Sequence, residues 1–466
     1  MIRYALAASA LLVTTPLAAQ STAQEVIDAR YSRALAAGYK ALFLCSAIAN
    51  AEWSGAQRSP ESVHQWELTG VDARYDGIIR DLPYEILRDG ADGSGAVNRV
   101  DVSWAQDAPP RSAKHFPGSG CVIMPIGMDP AGGEYTPNNV SSDGSLTFAL
   151  PAPPAFSVPA PPSSATNAVL AAALDETYGE GTRTTAVLVT KDRKPVDWAT
   201  GPDFTLFTPQ RTWSVAKSIA ATIVGAAVQR GEISVEGTAS LAGMSNFDPR
   251  REITIDHALR MASGRYSDTP GNRTEPLYWG GTTVDERAQN WPLIYKPGTV
   301  YRYANNDTLA AVAAISETFE AHPPREVLKS IGMSDTIPEY DWRGNYVLSS
   351  QVWAHAHDLS KLGELYLNDG VGPDGTRILP EGWVEYVSSP SGPQPGGPFG
   401  YGAGFWLLNN SDGVPTDTFA AMGNRGQYVV IVPSLNVVIV RRGEDPSGSR
   451  FDIAAFTRDV LESLEK

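Results

Sequence analysis

Arg211-Thr212-Trp213-Ser214-Val215-Ala216-Lys217-Ser218-Ile219-Ala220-Ala221 is a serine followed three residues later by a lysine, at the head of an apolar run. From Ile219 to Val228 the chain reads IAATIVGAAV and stops at Arg230-Gly231, the pattern of a buried helix with a glycine stop. Ser214 then falls at or just before the first turn. Residues three apart share a helix face, so the Lys217 amine reaches the Ser214 hydroxyl, and the free N–H groups of the helix start point at charge developing there. A serine hydroxyl is a poor nucleophile until something takes its proton, and lysine does so only if desolvation or a nearby cation holds it neutral. Ser214 and Lys217 are therefore the candidate nucleophile and base. A second S-x-x-K, Ser463 to Lys466, sits on the charged C-terminus and reads as incidental.

Upstream of this stretch, Thr184–Thr190 and Pro195–Trp198 flank Lys-Asp-Arg-Lys and read as a β-hairpin, preceded by a helix over about 163–178. Downstream, the chain is helical and loop-rich, with Ile255–Met261 as a helix and a long excursion from Gly264 to Pro297 carrying Tyr266, Trp279 and Trp291. Those rings suit a substrate wall, with core packing as the other reading. From Phe399 the pattern turns to strands, Gly402–Leu408, Gln427–Val432 and Val437–Val440, before a closing helix over Phe451–Leu464. The pattern predicts an α+β fold with an antiparallel sheet assembled from both ends of this segment and helices packed beside it.

A proton relay is also needed. Pro297-Gly298 leads into Tyr303-Ala304-Asn305, whereas a rival Tyr366-Leu367-Asn368 lies on an apolar-periodic helix and reads as structural. Ala421-Met422-Gly423-Asn424 runs into a strand, and its glycine allows close backbone approach, with the Asn424 N–H as an oxyanion donor; a plain glycine turn is the alternative. His355-Ala-His357 puts alternate residues on different helix faces with no obvious third ligand, so neither a metal nor another cofactor is expected.

The remainder of the chain sets an address. Residues 1–23 have one Arg3, a short apolar stretch and small residues at Leu17-Ala18-Ala19, the pattern of a cleaved signal peptide, with cleavage after Ala19 or Ala23. Nothing later is apolar for long enough to span a membrane, so a periplasmic or secreted protein without stable membrane insertion is expected. Cys45 and Cys121 favour a disulfide in that compartment, two buried thiols being the other state. A net charge of −15 argues against a nucleic-acid partner. Residues 24–150 form an accessory region with a helix over Glu25–Asn50 and no motif that carries chemistry. Residues 151–162, half proline, read as a semi-rigid linker, and 163–466 as the domain that holds the motifs.

In order and spacing, Ser214-x-x-Lys217, Tyr303-x-Asn305 and the glycine-bearing strand entry resemble the penicillin-recognising serine hydrolases of the class C β-lactamase type. Flanking segments agree, among them Ile253–Gly264, Asp358–Leu367 and Gly426–Pro433, and the resemblance covers roughly 180–460. It is most similar to the branch that includes esterases and 6-aminohexanoate-dimer hydrolases. The resemblance implies a β-lactamase/transpeptidase-like fold preceded by a smaller N-terminal region. It also implies an acylated Ser214, a base in Lys217, a relay in Tyr303, an orienting Asn305, and oxyanion N–H groups from Ser214 and Asn424 beside Gly423. The family's Lys-Thr-Gly is replaced here by Ala421-Met422-Gly423, which disfavours penicillins and favours a small-molecule ester or linear amide. D-alanyl-D-alanine carboxypeptidase or β-lactamase-like activity, and a non-catalytic acyl- or peptide-binding role, are the alternatives; oligomeric state is left open.

Overall fold

In a computed structural model of the chain, the described residues are 14–90, 94–130, 165–239, 241, 244–266 and 275–465. The proline-rich stretch 151–162, the start of the signal-like segment and residues 267–274 of the long excursion lie outside them.

The first region holds α1 (Thr14–Trp53), α2 (Pro60–Trp66) and α3 (Asp76–Asp81) against an antiparallel sheet, β1 (Tyr84–Arg88), β2 (Val97–Val102), β3 (Arg111–Phe116) and β4 (Gly120–Ile123). The helix expected over 25–50 is longer at both ends. Its segment Ser21–Trp53 is long and apolar enough by composition to cross a membrane, which corrects the expectation that no such stretch follows the leader. Its most apolar 18-residue window is wholly buried, however, because it is the core helix of this region. Cys45 of α1 and Cys121 of β4 form a disulfide with Cα atoms 6.1 Å apart.

The second region is built around a seven-stranded antiparallel sheet in the order β10-β11-β12-β13-β14-β5-β6. Its strands are β5 (Thr184–Lys191), β6 (Lys194–Thr200), β10 (Gly400–Tyr401), β11 (Trp406–Leu407), β12 (Phe419–Gly423), β13 (Gln427–Val432) and β14 (Val437–Gly443). The start of the domain thus pairs with its end, β5 against β14, as expected. Both faces are covered, which is why β13 and β14 read as unbroken β-branched runs rather than alternating ones. Val187, Val189, Val430, Val432, Val437 and Ile439 face α4 (Ala165–Ala172) and α13 (Ile453–Ser463). Ala186, Leu188, Val429, Ile431, Val438 and Val440 face α5 (Val215–Gln229) and α11 (Ala356–Leu367). On α11, Gly363 lets the helix lie on Val438, whose side chain would be 2.5 Å from a Cβ placed there.

The remaining elements are α6 (Ile255–Leu259), α7 (Glu275–Tyr278), α8 (Val284–Arg287), α9 (Asn305–Ala314), α10 (Pro324–Ser330) and α12 (Trp383–Ser388). A small sheet completes the set, β7 (Gln210–Arg211), β8 (Ile337–Pro338) and β9 (Val352–Ala354), in the order β7-β9-β8. Two expectations need correction. Of the strand read over 402–408 only Trp406–Leu407, β11, is strand, because the chain turns at Gly404, with φ of 80°, and β11 pairs back on β10, which lies just before the stretch. The helix read over 163–178 ends at Ala172 in turns.

The two regions share one apolar core. Leu42, Phe43 and Cys45 of α1 pack in the same cluster as Trp213, Tyr278, Trp279, Leu309 and Trp353.

Candidate active site

The chain reaches the site through β7, where Arg211 pairs with Trp353 and the Thr212 N–H donates to the Val352 carbonyl at 2.8 Å. Trp213 then adopts φ of 50°, a left-handed conformation that costs a non-glycine residue about 1–2 kcal/mol. That turn sets Ser214 as the N-cap of α5, partly exposed, ahead of a helix that is buried from Val215 to Ala227.

Lys217, one turn on, is 1% exposed. Its Nζ lies 3.0 Å from Ser214 Oγ, 2.5 Å from Asn305 Oδ1 and 2.9 Å from the Ser349 carbonyl. Burial holds its ammonium well below the ordinary lysine value, and the Arg211 guanidinium pushes the same way.

Tyr303 and Asn305 enter from the opposite wall. Gly298, with φ of 79°, turns the chain, and its N–H donates to the Ala262 carbonyl at 2.8 Å. Asn305 is the first residue of α9, whose start is pinned where Asp307 accepts from the Ser263 hydroxyl at 2.6 Å and from Arg265 at 3.2 Å. The Tyr303 hydroxyl is hydrogen-bonded to Ser214 and accepts from the Trp406 indole. Its pKa is raised, chiefly by burial, and those two bonds offset part of the rise. The Lys217 amine sits 5.0 Å above the Tyr303 ring. Tyr366 takes no part: it is buried and its hydroxyl bonds Thr222 at 2.9 Å, as its place on a helix implied.

Gly423 closes the third side. A Cβ there would sit 2.4 Å from the Thr212 carbonyl and 3.1 Å from the Ser214 nitrogen, so only glycine lets β12 run this close to Ser214. Asn424 follows it, exposed, in the turn before β13. The structure thus brings Ser214, Lys217, Tyr303, Asn305 and Gly423 into contact, with Asn424 beside them.

These residues open onto a cleft of about 1520 Å³. Around the nucleophile it is lined by Trp213, Tyr278, Trp279, Tyr303 and Trp406, and Val71 to Arg74 of the first region form part of its wall. Of the rings expected to wall it, Trp279 does, whereas Tyr266 and Trp291 pack on each other at 5.8 Å and are not among its lining residues.

The sequence reading missed Arg211, Tyr278, the Ser349–Ser350 segment and Arg425. Arg211 left a signal, as a charged residue inside the run that carries the nucleophile. Arg425 left the same kind of signal, directly after Asn424, and Tyr278 adjoins Trp279; Ser349–Ser350 approaches from more than a hundred residues away and left none. His355, His357 and Asp358 do hold possible ligand atoms within 4.8 Å of one another, which corrects the expectation that no third ligand is near. His355 is spent on structure, since its Nδ1 accepts the Asp358 N–H at 3.0 Å as the N-cap of α11.

No curated protein matches the sequence. Among solved structures, a Bacillus anthracis protein assigned as a 6-aminohexanoate-dimer hydrolase is 21% identical, with a TM-score of 0.52, covering 63% of this chain and 81% of its own. A Bacteroides dorei DSM 17855 protein assigned as a β-lactamase is 17% identical, with a TM-score of 0.52, covering 64% of this chain and 98% of its own. At these identities the likeness is one of fold, and it agrees with the α+β, β-lactamase/transpeptidase-like architecture. The family model for β-lactamase matches residues 170–459, well over half of the chain, so the protein belongs to the β-lactamase family and is a serine hydrolase.

Proposed function

We propose that this serine hydrolase cleaves a carboxylic ester or a small linear amide through an acyl-enzyme on Ser214. The observation that carries the reading is the set of contacts at Lys217 Nζ. A neutral amine has two N–H donors and one lone pair. Asn305 Oδ1 and the Ser349 carbonyl accept the two hydrogens, which leaves the lone pair facing the Ser214 hydroxyl.

In this reading Lys217 takes the Ser214 proton as Oγ attacks the carbonyl carbon, and the N–H groups of Ser214 and Asn424 hold the oxyanion. Tyr303, hydrogen-bonded to Ser214 and oriented by Trp406, passes a proton to the leaving alcohol or amine. Water then enters the vacated position, gives a proton back through the same groups, and releases the acid. Asn305 fixes the amine. The aromatic lining beside Ser214 suits an uncharged acyl chain, and Ala421 supplies no cation where β-lactamases carry a lysine, which favours esters and small amides over penicillins.

The substrate is accordingly a small molecule. Net charge of −15 speaks against nucleic acid, and the burial of the most apolar stretch of α1 against membrane insertion. The apolar N-terminus and the Cys45–Cys121 disulfide support secretion to a periplasm or beyond. The division into residues 24–150, a linker over 151–162 and a hydrolase domain over 163–466 is part of the same proposal.

The test is the intact mass of the protein after a fluorophosphonate probe, with Ser214→Ala in parallel. A single adduct on the wild type that the variant lacks is expected, followed by turnover of short esters or aminohexanoate oligomers and weak or no turnover of β-lactams. A folded wild type that neither labels nor turns over acyl substrates sinks the catalytic reading in favour of acyl or peptide binding.

A further inference from the structure

We propose that Arg211 is a positioning residue for the Ser214–Lys217 pair, a fixed buried cation that keeps a second positive charge off the neighbouring amine. The inference rests on the acyl-enzyme reading above.

Arg211 is 0% exposed, and among the described residues no carboxylate pairs with it. Its Nε donates to the Ser350 carbonyl at 3.0 Å and one terminal nitrogen to Ser350 Oγ at 2.9 Å. The other terminal nitrogen has no hydrogen-bond partner among the described residues. The guanidinium is instead enclosed by rings, 4.1 Å from Trp213, 5.0 Å from Tyr278 and 5.2 Å from Phe43. A buried cation without a counter-ion is costly, so packing alone would favour an apolar residue there. What the guanidinium does accomplish is visible in its contacts. It stacks on Trp213, the left-handed residue whose turn aims Ser214, and it binds Ser350, the neighbour of the residue whose carbonyl holds Lys217.

Two cationic side chains therefore share the Ser349–Ser350 segment. The other ionisable groups facing Arg211 are Tyr39 from α1, Tyr278 from α7, Glu339 after β8 and Glu444 after β14; Tyr303 faces Lys217. Glu444 is paired with Arg425, and Glu339 is held by Asn50, Cys121, Gln351 and Trp353, so neither serves Lys217 as a counter-ion. A guanidinium keeps its proton more tightly than an ammonium, and of the two it is the amine that yields. Phe43 lies on α1, so the N-terminal region supplies one wall of this box.

The experiment measures the rate of fluorophosphonate labelling of Ser214 from pH 5 to 11 in wild type and in Arg211→Met, with melting curves for both. The wild-type midpoint should lie at least about one pH unit below the ordinary lysine value of about 10.4. In Arg211→Met the midpoint should rise by about one unit or more, with labelling at high pH recovering to within about threefold of wild type. A uniform loss with an unmoved midpoint overturns the proposal, since that is what a purely structural residue would produce. So does a wild-type midpoint at the ordinary lysine value, which decides the matter even if the variant fails to fold. A wild type that labels at no pH overturns the acyl-enzyme reading itself, and this inference with it.

Discussion

The seven-stranded body and the N-terminal region contribute differently to the candidate active site, which needs both. The sheet of the body packs apolar side chains on both faces, and the candidate catalytic side chains sit at one end of α5 and on the loops around it. The N-terminal region buries polar and charged groups that reach out of it. Asn50 of α1 and the Cys121 N–H bond Glu339, and Arg111 donates to the Trp279 carbonyl at 2.8 Å. The carbonyls of Trp66 and Thr69 hold Arg425, the left-handed residue directly after Asn424. One region thus carries the candidate catalytic residues, and the other braces the turns that position them, Trp213 beside Ser214 and Arg425 beside Asn424.

The comparison can be broken or sharpened by substitution. The largest effect is expected at Ser214→Ala, with hydrolysis falling on the order of 10³-fold or more while the melting temperature holds. Tyr303→Phe should cost about 10²–10⁴ in kcat/KM, as expected for loss of a proton relay, again with little change in stability; an unchanged rate would move the relay elsewhere. Bracing residues should show the reverse pattern. Arg425→Met leaves Glu444, 2.6 Å away and buried, without its partner, and should destabilise the fold by about 3–5 kcal/mol in urea titration, with weaker acylation by whatever remains folded. Replacing both Cys45 and Cys121 by alanine opens a link across 76 residues and should cost about 2–4 kcal/mol, with activity falling only as the N-terminal region loosens. Equal loss of activity and stability at Ser214, or full activity after the N-terminal region has melted, would erase the division of labour. The smallest change is expected at Arg74→Ala on the cleft wall, a shift of KM within about threefold and no change in kcat.

The body was readable because its signals are local. The hairpin before Ser214, the runs of β13 and β14, and the helix that follows the nucleophile each follow from spacing within a dozen residues. Tyr366 was separable from Tyr303 on the same ground, since one lies in a periodic helix and the other after a Pro-Gly turn. Where a local signal was ambiguous the reading slipped, as in the stretch 402–408, whose apolar residues continue across a turn made by Gly404.

From the sequence alone came the proposed nucleophile and base and the candidate tyrosine, because a serine and lysine three apart on a helix must share a face whatever surrounds them. Only the tertiary structure decided what surrounds them. It set Arg211 inside a box of Phe43, Trp213 and Tyr278, put Asn305 and Ser349 on the two hydrogens of the amine, and tied Arg425 to Trp66 and Thr69. Those contacts join residues up to 359 positions apart, and no periodicity records which buried polar group meets which, since each pairing is settled by the folded core as a whole.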